Sequence, residues 1–226
     1  MKLIIFGPPG SGKGTYSRIL REKFGIEKIS TGDILRAEIK AGSKIGKIAE
    51  SYIKSGKLVP DEIVNKIVEE RIGNNFILDG YPRTIEQAKY LLRLTKIDAI
   101  INIKVHEEIL IEKICGRRIC SNPNCDGNYN IADIRTTIED VEYILPPLLP
   151  KNDTKCDKCG SELIQRADDK PEVIKNRINV YREQTKPVFE FLVANKIPVV
   201  EVWMNRPPDQ VVDKIVEKLK KLNLIL

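Results

Sequence analysis

Histidine is almost absent from this chain. His106 is the only one in 226 residues. It follows a predicted strand, sits in no recognisable motif and is read as a surface or strand-end residue. Long apolar runs are absent as well: nothing approaches the roughly 18 residues of a membrane span. The opening MKLIIF holds an unbroken apolar run of only four residues before GPPG, too short for a signal peptide, and reads better as a buried first strand. Cysteine is scarce. Five residues are an odd number for a disulfide framework, and four of them pair at metal-like spacings, so a reducing cytoplasm is expected. There is no internal repeat and no low-complexity tract. What is present fits a soluble globular protein: 42% apolar and 31% charged residues, with length for one main domain and inserted lobes. The 38 basic residues outnumber the 32 acidic ones, for a net charge of +6. That surplus suits anionic partners such as nucleotides, and also nucleic acid.

Short apolar runs bounded by turn signals predict buried parallel strands at Lys2–Phe6, Asn75–Leu78, Asp98–Val105 and Pro198–Trp203, with a shorter one at Glu27–Ile29. Helical patterns lie between them: Lys13–Phe24, Asp61–Ile72, Thr84–Leu94, Glu107–Ile114, Pro171–Ala194 and Pro207–Leu222. Pro171 and Pro207 suit first-turn positions. The alternation predicts an α/β fold, a parallel sheet with helices on both faces. Two segments break it. Residues 30–59 read as short helices without a strand. Residues 116–165 read as irregular, rich in Asn, Asp and Pro, and hold four cysteines. Both are expected to be lobes inserted into a core made of 1–29, 60–115 and 166–226.

GPPGSGKGT, residues 7–15, directly follows the first strand and opens a helix. Gly7, Gly10, Gly12 and Gly14 let successive backbone N–H groups turn inward, an anion cradle at a helix N-terminus. Lys13 adds a full charge for a transferring phosphoryl group. The pattern departs from G-x-x-x-x-G-K-[ST], because Gly14 stands where a magnesium-holding hydroxyl belongs and Thr15 comes one position late.

With that departure the loop resembles the one in nucleoside monophosphate kinases, particularly adenylate kinases. The resemblance recurs in collinear order: STGD at 30–33 with Arg36, GKLVPD at 56–61, LDGYPR at 78–83 with Gln87, GRR at 116–118, and RADD at 166–169 followed by Arg177. It implies a P-loop core with an AMP-binding lobe at 30–59 and a lid at 116–165. The implied reaction is reversible transfer of the terminal phosphoryl of ATP to AMP, giving two ADP, with Mg²⁺ held by the nucleotide phosphates and by waters that an acidic residue positions. Asp79, at the end of a predicted buried strand, fits that acid. Many negative charges meet in such a reaction, so Arg36, Arg83, Arg117, Arg166 and Arg177, with Lys13, are expected to neutralise and position them. No side-chain base is required, because a phosphate oxygen is already ionised at neutral pH.

The resemblance assigns Gly10, Ser11, Gly12, Lys13, Gly14, Thr15, Arg117, Asn128, Tyr129 and Arg206 to ATP. It assigns Thr31, Arg36, Lys57, Leu58, Val59, Gly80, Arg83, Gln87, Arg166 and Arg177 to AMP. Gln87 could read an adenine edge through an amide that both donates and accepts. At Arg206 backbone contacts are expected to matter more than the side chain. Lys113 stands where many members of the family stack an Arg on the donor adenine, and Lys stacks less well.

Cys120 and Cys125 are separated by four residues, Cys156 and Cys159 by two. Four thiolates so spaced suit a closed tetrahedral Zn²⁺ site, with iron, free cysteines and disulfides as alternatives. Zinc-bearing adenylate kinase lids have a similar GRRIC entrance. Here the first pair is wider than usual in the family and the gap between pairs longer, and the run LPPLLP at 145–150 falls in the extra length. Cys115 reads as a helix residue facing the core and not as a ligand. A kinase for UMP or CMP is a second reading, which Thr31 and Gln87 oppose. A zinc-ribbon nucleic-acid-binding ATPase is a third, opposed by basic residues spread along the chain and by the lack of an aromatic–basic cluster. Neither a nucleic-acid nor a membrane partner is expected, and the chain is expected to be a monomer.

Overall fold

The computed structural model describes residues 1–123 and 125–225. In chain order the first half contains β1 (Lys2–Phe6), α1 (Lys13–Phe24), β2 (Glu27–Ser30), α2 (Thr31–Lys40), α3 (Lys44–Lys54), α4 (Asp61–Glu69), β3 (Phe76–Asp79), α5 (Ile85–Leu94), β4 (Ala99–Lys104) and α6 (Glu107–Cys115). Then come β5 (Arg117–Cys120), β6 (Asn128–Asn130), β7 (Ile134–Ile138), β8 (Val141–Leu145) and β9 (Leu163–Ile164). The chain closes with α7 (Pro171–Val180), α8 (Lys186–Ala194), β10 (Val199–Trp203) and α9 (Pro208–Lys221).

The apolar runs pair into a five-stranded parallel sheet of order β10-β4-β1-β3-β2. Strand side chains alternate between faces, so a continuous apolar run feeds two cores. Leu3, Ile5, Ile77 and Ile101 join the cluster under α1 and α9. Ile4, Phe6, Phe76, Leu78 and Ile100 join the cluster under α4, α5 and α8. Burial on both faces explains why these strands read as runs and not as alternating patterns. Two helix caps place site residues. Ser30 Oγ accepts from the Asp33 N–H at 3.4 Å and Thr84 Oγ1 from the Gln87 N–H at 3.1 Å, which starts α2 and α5 at the carboxyl edge of the sheet.

The structure corrects two expectations. The helix read as Pro171–Ala194 is two helices joined by a π-helical turn, Tyr181–Thr185. Pro187 has no N–H for the carbonyl of Glu183, and the wider turn absorbs the mismatch. It also brings Thr185 Oγ1 within 3.3 Å of the Arg83 carbonyl. Second, residues 116–165 are not irregular throughout, although 146–162 carry no strand. They hold a three-stranded sheet, β6-β5-β9, and the hairpin β7–β8. On one hairpin face Ile134, Thr136 and Ile138 stand opposite Leu145, Tyr143 and Val141, a half-buried period-2 pattern. Its turn is Glu139-Asp140, with Glu139 at φ 51°. No glycine or asparagine marks that turn, so the sequence gives little sign of it.

Candidate active site

Gly10 and Gly12 bend the loop after β1 with φ of 83° and 81°. A Cβ on Gly10 would lie 2.5 Å from Ile114 Cγ1, so position 10 needs glycine for space as well as for backbone conformation. Lys13 Nζ folds back over the loop, donating to the carbonyls of Gly7 and Pro8 at 2.7 and 2.8 Å. It forms no ion pair among the described residues. Burial lowers its ammonium to about 7; Asp79 opposes this, while Arg83, Arg177 and Arg117 add to it. Such a lysine is poised to recover its charge when phosphate arrives. At pH 8 the free chain holds Lys13 mostly neutral, so a polyphosphate ligand seated in this cradle would take up a proton, approaching about one per site. The uptake fades toward pH 6, where Lys13 is already charged. Calorimetry in buffers of different ionisation enthalpy measures it, and Lys13→Met abolishes it.

Asp79 ends β3 beside this loop. It is buried, accepts no hydrogen bond and joins no ion pair among the described residues, and its Oδ2 lies 3.4 Å from where a Cβ on Gly14 would stand. A buried carboxylate with no ion-pair partner at the phosphate cradle fits a hydrated Mg²⁺. Thr15 Oγ1 accepts from Asn128 Nδ2 at 3.2 Å, so β6 rests on the phosphate-loop helix.

Five arginines converge on this end of the sheet from separate elements. Arg36 NH2 and Arg166 NH2 lie 2.6 and 3.3 Å from Asp33 Oδ1. Arg117 grips Asp169 through Nε at 2.8 Å and through NH2. Arg177 NH1 reaches Asp168 Oδ2 at 3.0 Å and Asp169 Oδ1 at 3.2 Å. Arg83 has no carboxylate partner among the described residues; its Nε donates to the Gly80 carbonyl at 2.8 Å. Arg166 Nε is buried with no partner. Burial, then Arg177, brings Arg83 down to about 10; burial, then Arg36 and Arg117, brings Arg166 down to about 9. Burial alone would raise the Asp33 carboxyl, but Arg36, Arg166 and Lys28 outweigh it and hold it far below the usual range. The site is thus built with more buried positive than negative charge, and it needs an anion. Asp33, Asp168, Asp169 and Lys28 belong to this network and were missed as site residues. The three carboxylates stand inside the STGD and RADD motifs, and the pairing of acids with arginines there is the signal that could have found them.

Two cavities open around the arginines. One is lined by the phosphate loop, Asp79, Lys113, Arg117, Asn128, Pro146, Leu148 and Pro208. The other is lined by Thr31, Lys57, Leu58, Val59 and Gln87. Arg36, Gly80, Arg83 and Arg177 line both. Gln87 is buried; its Oε1 accepts from the Arg83 N–H and its Nε2 donates to Asp61 Oδ1, both at 2.7 Å. That fixes the amide orientation and leaves one donor and one acceptor site. Thr31 donates to the Gly80 carbonyl at 2.9 Å. Three residues assigned to ATP stand differently. Ser11 is fully buried and does not line the cavity. Arg206 is not among the lining residues; its guanidinium holds Glu142. Tyr129 lines the first cavity, but its hydroxyl faces the cysteines, 3.7 Å from Cys156 Sγ.

The ligand sulfurs of Cys120, Cys125, Cys156 and Cys159 lie within 4.8 Å of one another, with no disulfide among them. Tetrahedral Zn–S bonds of about 2.3 Å set sulfurs about 3.8 Å apart, and the Cys120–Cys159 and Cys125–Cys156 pairs stand at 3.4 and 3.7 Å. The cluster is compatible with one Zn²⁺. Cys115 lies apart from it, packed beside Leu110, Ile114 and Ile174.

The family model described as "Adenylate kinase" matches residues 5–197. The chain belongs to the adenylate kinase family. It is 45% identical over 202 residues to the adenylate kinase of Petrotoga mobilis, covering 86% of each chain. It is 41% identical over 231 residues to that of Methanosarcina barkeri, covering 98% of this chain and 99% of the relative. It is 44% identical over 201 residues to that of Archaeoglobus fulgidus, covering 84% and 85%. Adenylate kinase membership makes the chain a phosphotransferase that uses a phosphate group as acceptor. No helix among the described residues is long and apolar enough to cross a membrane.

Proposed function

We propose that the chain moves the terminal phosphoryl of ATP to AMP, reversibly, with the two nucleotides entering the two cavities from opposite sides. The observation that carries this is the junction itself: two cavities share Arg36, Arg83 and Arg177, one on the phosphate loop and one against a fixed glutamine amide. Donor phosphates lie in the N–H cradle of residues 10–15 with Lys13 and Arg117. The AMP phosphate lies against Arg36, Arg83 and Arg177, and its base against Gln87, Thr31 and the backbone of Lys57–Val59. The free donor and acceptor of the Gln87 amide match the N1 and 6-amino edge of adenine. Mg²⁺, held beside Asp79 through water, would neutralise donor phosphate charge. The AMP oxygen attacks the phosphoryl group in line, and the arginines stabilise charge spread over the equatorial oxygens. No proton is moved. Residues 30–59 act as the AMP lobe and 116–165 supply the lid, which shuts water out. Zn²⁺ staples the lid through the four cysteines. The chain works as a cytoplasmic monomer.

The test offers Mg²⁺, ATP and one acceptor to the purified chain. AMP yields ADP at least about a hundredfold faster than UMP, CMP or GMP, since a buried amide left unpaired rejects the wrong base edge. Equal rates with all four would remove the assignment of Gln87.

A further inference from the structure

The hairpin β7–β8 lies in sequence between the two cysteine pairs, yet it is bonded to the core. Its buried Ala132, Ile134, Tyr143 and Leu145 pack in one cluster with Val200, Val202, Met204 and Val211. The Tyr143 hydroxyl accepts from the His106 N–H at 3.0 Å and stands 2.9 Å from His106 Nδ1; His106 in turn packs on Trp203, ring centroids 5.0 Å apart. The carbonyl of Glu142 accepts from Asn205 Nδ2 at 3.0 Å and from Arg206 NH1 at 2.6 Å, and its carboxylate accepts from Arg206 NH2 at 2.6 Å. The Ile144 N–H closes the joint on the Asn205 carbonyl at 3.0 Å. On one side of this joint the chain runs into Pro208, on the other into Pro146 and Leu148. All three line the phosphate-loop cavity together with Lys113. Leu148 is also paired through its backbone with Asn130 at 2.8 and 3.0 Å.

We propose that Glu142 is a positioning residue for the donor base: its carboxylate, through Arg206, locks the loop 204–207 against the hairpin beside the backbone bonds, which sets the slot between Pro208 and Pro146–Leu148. This rests on reading that cavity as the donor site. The Pro208 and Pro146 walls of the slot are then anchored to the core through this joint, while Leu148 is tied to β6. A slot so held compensates for Lys113, whose ammonium offers a base a poorer stacking face than a guanidinium. Glu142 touches no nucleotide in this arrangement. Its removal therefore acts on donor binding and leaves the transfer step and the acceptor cavity alone.

The experiment measures ATP affinity by calorimetry and both KM values by steady-state rates for Glu142→Ala, Glu142→Gln, Arg206→Ala and the Glu142→Ala/Arg206→Ala pair. The expected result for Glu142→Ala is about tenfold weaker ATP binding and a matching rise in KM for ATP, with KM for AMP and kcat within about twofold. Glu142→Gln, which keeps an acceptor for Arg206, recovers most of the loss. The pair is no worse than Arg206→Ala alone, because that variant already removes the carboxylate contact along with the bond to the Glu142 carbonyl. The half-exposed Glu142 side chain lets the variants fold, and a melting curve checks this. Unchanged ATP affinity in Glu142→Ala, or equal rises in both KM values, overturns the proposal. Failure of the donor-site reading looks different: the unmodified chain itself makes no ADP from ATP and AMP.

Discussion

Arg83→Ala lowers turnover by about a thousandfold while the chain keeps its fold and melting temperature. Arg83 lines both cavities, and it alone among the five arginines has no carboxylate partner among the described residues. Arg36, Arg117, Arg166 and Arg177 are each held by Asp33, Asp168 or Asp169, so part of their charge is already answered. Arg83 offers its guanidinium undiminished at the junction, where the proposed transfer would develop charge. Burial of that charge without a partner is a cost to folding, which is why its removal spares stability. Arg83→Lys recovers little, since a point charge does not replace a planar fork on phosphate oxygens. Steady-state rates beside a melting curve decide the matter. Near-normal turnover in Arg83→Ala would take this residue out of the mechanism.

The second large effect lies in residues 116–165, the proposed lid. Cys156→Ser, or chelation of the Zn²⁺ proposed there, lowers the melting temperature by about 10 °C, taking roughly 3 kcal/mol at about 2–4 °C per kcal/mol for a chain of this size. The apolar material beneath β5, β6 and β9 is little more than Cys120, Tyr129 and Cys156 with Cys125 and Leu163 beside them. Without a bound ion those thiols face one another with nothing to hold them. Turnover falls too, because Arg117 sits on β5 and Asn128 on β6. Zinc restores both properties to the chelated wild-type chain. Metal analysis of the purified protein reads zinc or iron directly, and a melting temperature insensitive to chelation would show that the cysteines serve packing alone.

The central sheet was legible because burial on both faces writes its inner strands β1, β3 and β4 as apolar runs, and the phosphate loop because its glycines and lysine lie close together. The motif-borne arginines were legible for the same reason. The network that holds them was not. Asp33 with Arg166, and Arg117 with Asp169, join residues far apart in the chain, and spacing says nothing about such pairs. Gln87 was singled out as a reader of adenine, but its tie to Asp61, which fixes the amide, needed coordinates. The hairpin was hidden by its Glu139-Asp140 turn and by alternation that a stretch rich in polar residues conceals. Arg206, expected near the donor site through its backbone more than its side chain, spends its guanidinium on the hairpin. Tyr129, which follows the first cysteine pair, does line the phosphate-loop cavity, yet its hydroxyl faces the four cysteines.

The central claim is that two nucleotides meet at one arginine-lined junction and exchange a phosphoryl group without water. Phosphorus NMR of the chain with Mg²⁺ and ADP as the sole nucleotide tests it most directly. The account predicts ATP and AMP appearing in equal amounts, with no inorganic phosphate, until equilibrium is reached. ADP left unchanged, or phosphate released in step with AMP, would contradict it.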